Sequence, residues 1–123
     1  MSGSDLLARA RQELDASNLL ATGGFGAQAI SRAYFAAFYA AEAALLSIGE
    51  TRSKHAGVIA AFGQLVVRQA DFDADDARLL RSLFERRNEA DYAHAPVPPE
   101  EVIQAIGDAR RFVAAVEAWM ADR

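Results

Sequence analysis

The sequence predicts an all-α fold, an up-and-down helical bundle of about five helices. Three observations carry that expectation. Apolar residues recur at helical spacing, and no strand-like alternation appears anywhere. Alanine, the strongest helix former, is abundant. The breaks between periodic stretches are only a few residues long, which makes successive helices antiparallel neighbours.

The first helix is expected from about Ser4 to Ala21, with Leu6, Leu7, Ala10, Leu14 and Leu19 or Leu20 as its apolar positions. The run Thr22-Gly23-Gly24-Phe25-Gly26 breaks it. The second spans about Ala27 to Ile48 and stops at Gly49, a usual helix terminator. On it Ile30, Tyr34, Phe38, Ala41, Leu45 and Ile48 form one face, and Phe35, Tyr39 and Leu46 lie on another. Ala33, Ala36, Ala37, Ala40 and Ala43 fill much of the rest. A helix apolar on most sides is either central in the bundle or shared with a second subunit, so a homodimer is one of two expectations. The third helix runs from about Ser53 to Arg68, capped by Ser53 or Thr51, with Val58, Ile59, Phe62, Leu65 and Val66 apolar. The fourth begins between Asp73 and Asp76, whose carboxylates suit a helix N-terminus, and ends before Pro96. The fifth opens on Pro98-Pro99-Glu100-Glu101 and reaches about Met120.

At 123 residues the chain is expected to form one domain over 1–123, with no repeat, low-complexity tract or linker. Its 52% hydrophobic and 24% charged residues are ordinary for a globular protein. A net charge of -4 supplies no global basic field, so any nucleic-acid contact has to come from a local cluster. Without cysteine there are no disulfides and no thiolate metal sites, which fits a reducing cytoplasm. The opening Met1-Ser2-Gly3-Ser4-Asp5 has neither the positive start nor the apolar run of a signal peptide. The most apolar segment, from Ala33 to Ile48, is interrupted by Glu42 and Ser47 and is short of the ~20 residues a bilayer requires. The expectation is a cytoplasmic protein with no membrane span.

The most unusual stretch is Arg87-Asn88-Glu89-Ala90-Asp91-Tyr92-Ala93-His94. With Leu80 as reference and about 100° per residue, Leu83 falls at about -60°, Phe84 at about +40°, Arg87 at about -20° and Asp91 at about +20°. If the helix reaches it, His94 falls at about -40°. Charged groups thus continue a core-facing stripe, which is costly unless they are paired or line a cleft. Two readings stay open from the residues alone. One is a structural Arg87–Asp91 pair, with His94 ending the helix. The other is a chemical site, in which a histidine moves a proton and an arginine steadies growing phosphoryl charge.

Other constellations point to less. The glycine run after the first helix lacks the lysine of a phosphate loop and the preceding strand, so it reads as a helix–helix turn. Asp91-x-x-His94 has helical spacing, but a di-iron bundle needs two such motifs and two glutamates, so no metal or other cofactor is expected. Arg78 and Arg81 fall opposite Leu80 beside Glu85 and Glu89, a solvated face. Lys54 and His55, at the opening of the third helix, make a possible anion contact, with capping or packing as the plainer role for His55.

Several segments together resemble one family. The string Ala29-Ile30-Ser31-Arg32-Ala33-Tyr34-Phe35-Ala36-Ala37-Phe38-Tyr39 and its continuation to Leu46 is similar to the second helix of the HEPN superfamily, in its small single-domain branch. Ser53-Lys54-His55-Ala56-Gly57-Val58 through Gly63, and Arg86-Arg87-Asn88-Glu89-Ala90-Asp91-Tyr92 with the acidic final helix, resemble that branch as well. The likeness runs from about Leu6 to Trp119. The family motif is an arginine, usually followed by Asn, Asp or His, with a histidine a few residues on; Arg87-Asn88 and His94 match it. The resemblance implies a metal-independent endoribonuclease, the toxin of a toxin–antitoxin pair encoded beside a small nucleotidyltransferase, with a homodimer lining one cleft by two motifs. It implies Arg87 on the scissile phosphate of RNA, His94 as acid/base and Asn88 as a positioning group, with Asp91 and Tyr92 in support. The alternative it implies is a non-catalytic helical partner or substrate-binding subunit of the nucleotidyltransferase; a plain nucleotide-binding or interaction bundle is a third expectation. Toxins silenced by adenylylation carry a tyrosine shortly after the histidine. Here Tyr92 precedes His94, and its angle of about +120° points away from Arg87.

Overall fold

The computed structural model describes residues 2–123. Five helices follow one another and no strand occurs among these residues: α1 (Gly3–Thr22), α2 (Gly26–Ser47), α3 (His55–Ala61, running on as a π-helical segment, Phe62–Arg68), α4 (Ala74–Tyr92) and α5 (Pro99–Ala121). The protein is an all-α helical bundle.

Local chemistry accounts for the ends. Ser2 accepts from the Asp5 amide at 3.1 Å while the Asp5 carboxylate accepts from the Ser2 amide at 3.1 Å, a reciprocal cap on α1. The glycine run after α1 is the expected turn. Its last member, Gly26, sits where α5 passes close by: a Cβ there would lie 3.0 Å from Val102. At the far end of α2, Gly49 takes φ 80°, a conformation that favours glycine, and the Glu50 amide turns back to the Leu45 carbonyl at 2.9 Å. Asp73 caps α4 by accepting from the Asp76 amide at 2.9 Å, and Pro99 opens α5.

The third helix differs from its expectation in two ways. It starts at His55 behind Lys54, which offers no side-chain cap, so neither Ser53 nor Thr51 caps it. Its second half widens to π geometry at Phe62–Arg68, a stretch that includes Gly63, a poor helix former. The widened segment still buries Phe62 and Val66. Phe62 meets Phe72 and Phe112 at ring-centroid distances of 5.0 and 5.4 Å, and the Trp119 indole donates to the Ala70 carbonyl at 2.9 Å, tying down residues 69–73.

α2 touches α1, α3 with its π segment, α4 and α5. It is the central helix, and that position accounts for its apolar girth within one chain. Ala29, Ala33, Ala36, Ala37, Ala40, Ala41, Ala43 and Ala44 are all fully buried, and their small side chains let the neighbours come close. Between α1 and α2 the buried Ser17 hydroxyl donates to the Ala29 carbonyl at 2.6 Å. Glu13, 5% exposed, receives Arg32 at 3.1 and 3.3 Å and Arg9 at 3.4 Å. No helix among the described residues is long and apolar enough to cross a membrane.

Candidate functional site

α4 turns Leu80 and Leu83 into the core and then, one and two turns later, Arg87 and Asp91 along the same side. The Arg87 side chain is 27% exposed. Its Nε lies 3.0 Å from Asp91 Oδ2, too far off line for a hydrogen bond, and this nitrogen is sealed from solvent without a hydrogen-bond partner. Neither Nη is hydrogen-bonded among the described residues, and neither is sealed. The guanidinium carbon lies 5.7 Å from the Tyr34 ring centre and 5.4 Å from that of Phe35, cation–π distances from two rings of α2. Arg32 approaches Phe35 at 4.6 Å.

The floor beneath Arg87 continues to a histidine. Tyr34 is fully buried, and its hydroxyl oxygen is 2.7 Å from His55 Nδ1. The His55 ring stacks on Phe38 at 4.3 Å and stands edge-on to Phe35 at 5.5 Å. Burial pushes the Tyr34 hydroxyl well above its usual range, with Arg87 acting against it, so the proton stays on oxygen. Burial, reinforced by the Arg87 charge, holds His55 below its ordinary value, so the imidazole is neutral near pH 7. The buried Tyr34 hydroxyl has no other hydrogen-bond partner among the described residues, so the arrangement that leaves no buried hydroxyl proton unpaired has Tyr34 donating to Nδ1, with the imidazole proton assigned to Nε2. Nε2 makes no hydrogen bond among the described residues and is not sealed from solvent.

The remaining site candidates are placed differently. α4 ends at Tyr92, and Ala93 is extended, so His94 does not continue the stripe; it is exposed on the connection to α5. The angle that would align it with Arg87 therefore does not apply, because Ala93 leaves helical geometry ahead of Pro96. Asn88 is half-buried and Tyr92 is 81% exposed. Lys54 is exposed. The structure brings Arg87 and His55 to one aromatic floor, sets the exposed Asp91 beside Arg87, and leaves His94 on the exposed connection. Tyr34 and Phe35 were assigned to packing by sequence alone. The signal that points to Tyr34 is chemical, since a buried tyrosine hydroxyl has to find a partner. Among the described residues no three His, Asp or Glu side chains gather in one place. Elsewhere on α4, Arg78 pairs with Asp75 on the exposed face, while Arg86 reaches Asp108 at 2.8 Å and Asp76 receives Arg111 at 2.8 Å, both bridging to α5.

A helical bundle with this arrangement has known relatives. The HEPN domain family model matches residues 4–119, and the chain belongs to that family. A relative in Thermotoga maritima, named "UPF0332 protein", is 34% identical over 115 residues, covering 93% of this chain and 87% of the relative. A relative in Methanocaldococcus jannaschii, named "Putative toxin", is 32% identical over 108 residues, 88% of this chain and 81% of the relative. A second "Putative toxin" of the same organism is 30% identical over 87 residues, covering 71% of this chain and 59% of that relative.

Proposed function

We propose that this protein is a metal-independent endoribonuclease of HEPN type, the toxin of a two-component module, working in the cytoplasm as a homodimer whose two motifs share a cleft. Arg87, Asn88 and His94 are the residues assigned to the chemistry. The observation that carries this reading is the state of Arg87: one edge faces Asp91, two aromatic rings lie beside the guanidinium, the side chain keeps 27% exposure, and neither Nη has a hydrogen-bond partner among the described residues, which leaves them to pair with a phosphate. In the reaction, the 2'-hydroxyl of RNA loses its proton to a base and attacks phosphorus. The bond to the 5'-oxygen breaks, that oxygen takes up a proton, and a cyclic phosphate remains. Arg87 steadies the charge on phosphorus and His94 moves the proton. Membership in a family with relatives named as toxins supports the reading. The test is cleavage of cellular RNA in chelator by the parent, Arg87→Ala and His94→Ala; equal cleavage by all three refutes the assignment.

A second reading has its own observation. His94 stands exposed beyond α4, and Arg87 already has a carboxylate beside it, which suits a non-catalytic binding partner of a small nucleotidyltransferase. Growth arrest on expression that His94→Ala abolishes favours the toxin; co-purification with a nucleotidyltransferase and no arrest favours the partner.

A further inference from the structure

The imidazole of His55 reaches the same aromatic floor as Arg87 from a different helix. Both groups lie against the rings of Tyr34 and Phe35: His55 at centroid distances of 5.6 and 5.5 Å, the Arg87 guanidinium carbon at 5.7 and 5.4 Å. α2 supplies the floor, α3 the imidazole and α4 the guanidinium. The fit is chemical as well as spatial. Arg87 offers charge and two Nη groups that make no hydrogen bond among the described residues. His55 has its Nδ1 paired with the Tyr34 hydroxyl at 2.7 Å, and with Tyr34 as the donor of that bond its remaining nitrogen is a donor and not a base.

We propose that His55 and Arg87 form one binding pair for a phosphodiester of the RNA backbone, with His55 giving a neutral N–H from Nε2 to a phosphoryl oxygen and Tyr34 serving as the positioning residue that fixes its tautomer. The proposal deepens the ribonuclease reading and rests on it for the identity of the anion as an RNA phosphate. It gives His55 a task distinct from that of His94, which would move the proton. A neutral donor beside a guanidinium binds an oxyanion without adding like-charge repulsion, and the surrounding rings strengthen its hydrogen bond by lowering the local dielectric. The charged or titratable groups around this point are Arg87 on α4 with Asp91 beside it, Tyr34 on α2, Arg32 at 4.6 Å over the Phe35 ring, and Glu42, whose charge acts on Tyr34, with Lys54 preceding His55 in the chain.

The test uses the full chain labelled with nitrogen-15 and a 2'-deoxy-substituted oligonucleotide, which binds as RNA does but cannot be cleaved. Long-range proton–nitrogen spectra at neutral pH are expected to show His55 protonated on Nε2, with Nδ1 bare, and the Nε2 resonance is expected to move as the oligonucleotide is added. His55→Phe, which keeps a stacked ring and removes the donor, is expected to weaken binding at least about tenfold. Tyr34→Phe is expected to give a mixture of tautomers and weaker binding. The proposal is overturned by an Nδ1–H tautomer in the parent, by a His55 signal that ignores the oligonucleotide, or by parental affinity in a folded His55→Phe. If that variant does not fold, the parent's spectra decide alone. A parent that binds through His55 yet never cleaves RNA removes the nuclease reading and leaves the pair in place. Cleavage by a parent whose His55 signal is unmoved does the reverse.

Discussion

Asp91 engages Arg87 from one side, its Oδ2 at 3.0 Å from Nε, while neither Nη has a hydrogen-bond partner among the described residues. The carboxylate is thus a tether for the guanidinium and a local rival of any incoming phosphate. Asp91→Asn keeps the shape and removes the charge. RNA affinity at low salt is expected to rise by up to about fivefold, the scale of one charge–charge contact in water. Stability is expected to change by less than about 1 kcal/mol, since the pair is partly exposed. Filter binding and urea unfolding measure the two effects, and weaker binding would contradict the rivalry.

Arg87→Lys separates charge from shape. Lysine retains the positive charge but lacks the planar fork that lies over two rings and presents two edges to a phosphate. Cleavage is expected to fall about 100-fold or more, the scale seen when one oriented donor is lost at a developing anion. A lysine variant with full activity would mean that charge alone suffices at this position.

The burial of His55 and Tyr34 makes stability depend on pH at both ends. Folded His55 is held below its ordinary 6.5, so the unfolded chain binds the extra proton more readily. Its contribution is complete above 6.5 and is lost as pH falls toward the folded value. Tyr34 has the opposite sign: its pKa is raised from 10.0, so its contribution is complete below 10.0 and declines as pH rises past it. Urea midpoints measured from about pH 7 to about pH 5 are expected to fall more steeply for the parent than for His55→Phe. Parallel profiles would sink this account.

Glu13 is nearly sealed between Arg9 and Arg32, and Arg32 in turn lies 4.6 Å over Phe35. Glu13→Ala leaves Arg32 half-buried with its counter-charge gone. The expected cost is about 1–3 kcal/mol, below that of a fully buried pair because the Arg32 side chain keeps some solvent. Denaturant unfolding checks the figure, and a loss under about 0.5 kcal/mol would mean that water satisfies Arg32 unaided.

Helix boundaries were legible because glycines, prolines and acidic first turns punctuate the chain. Gly49 and Pro99 mark their helix ends within a residue of expectation. The centrality of α2 was one of two alternatives, since small buried residues look alike whether a neighbour belongs to the same chain or another. The π segment was not legible: Leu65 and Val66 suit either helical winding, and packing decides. The angle for His94 applies only if the helix reaches it, and α4 stops at Tyr92 with Ala93 extended, so that condition is not met. Tyr34 beside His55 was hidden for a different reason. The two are 21 positions apart, and only the fold makes them neighbours.

The end of α4 at Tyr92 divides the segment from Arg87 to His94 into two mechanical parts. Arg87 moves with a helix whose position is set by the core, whereas His94 moves with the short connection 93–98, bounded by Ala93 and Pro98. Their separation is therefore set by that connection and not by helical winding. In the proposed chemistry, changing the length of that connection would alter the distance between guanidinium and imidazole, with Val97, packed against the core, as the point that anchors the connection to the scaffold.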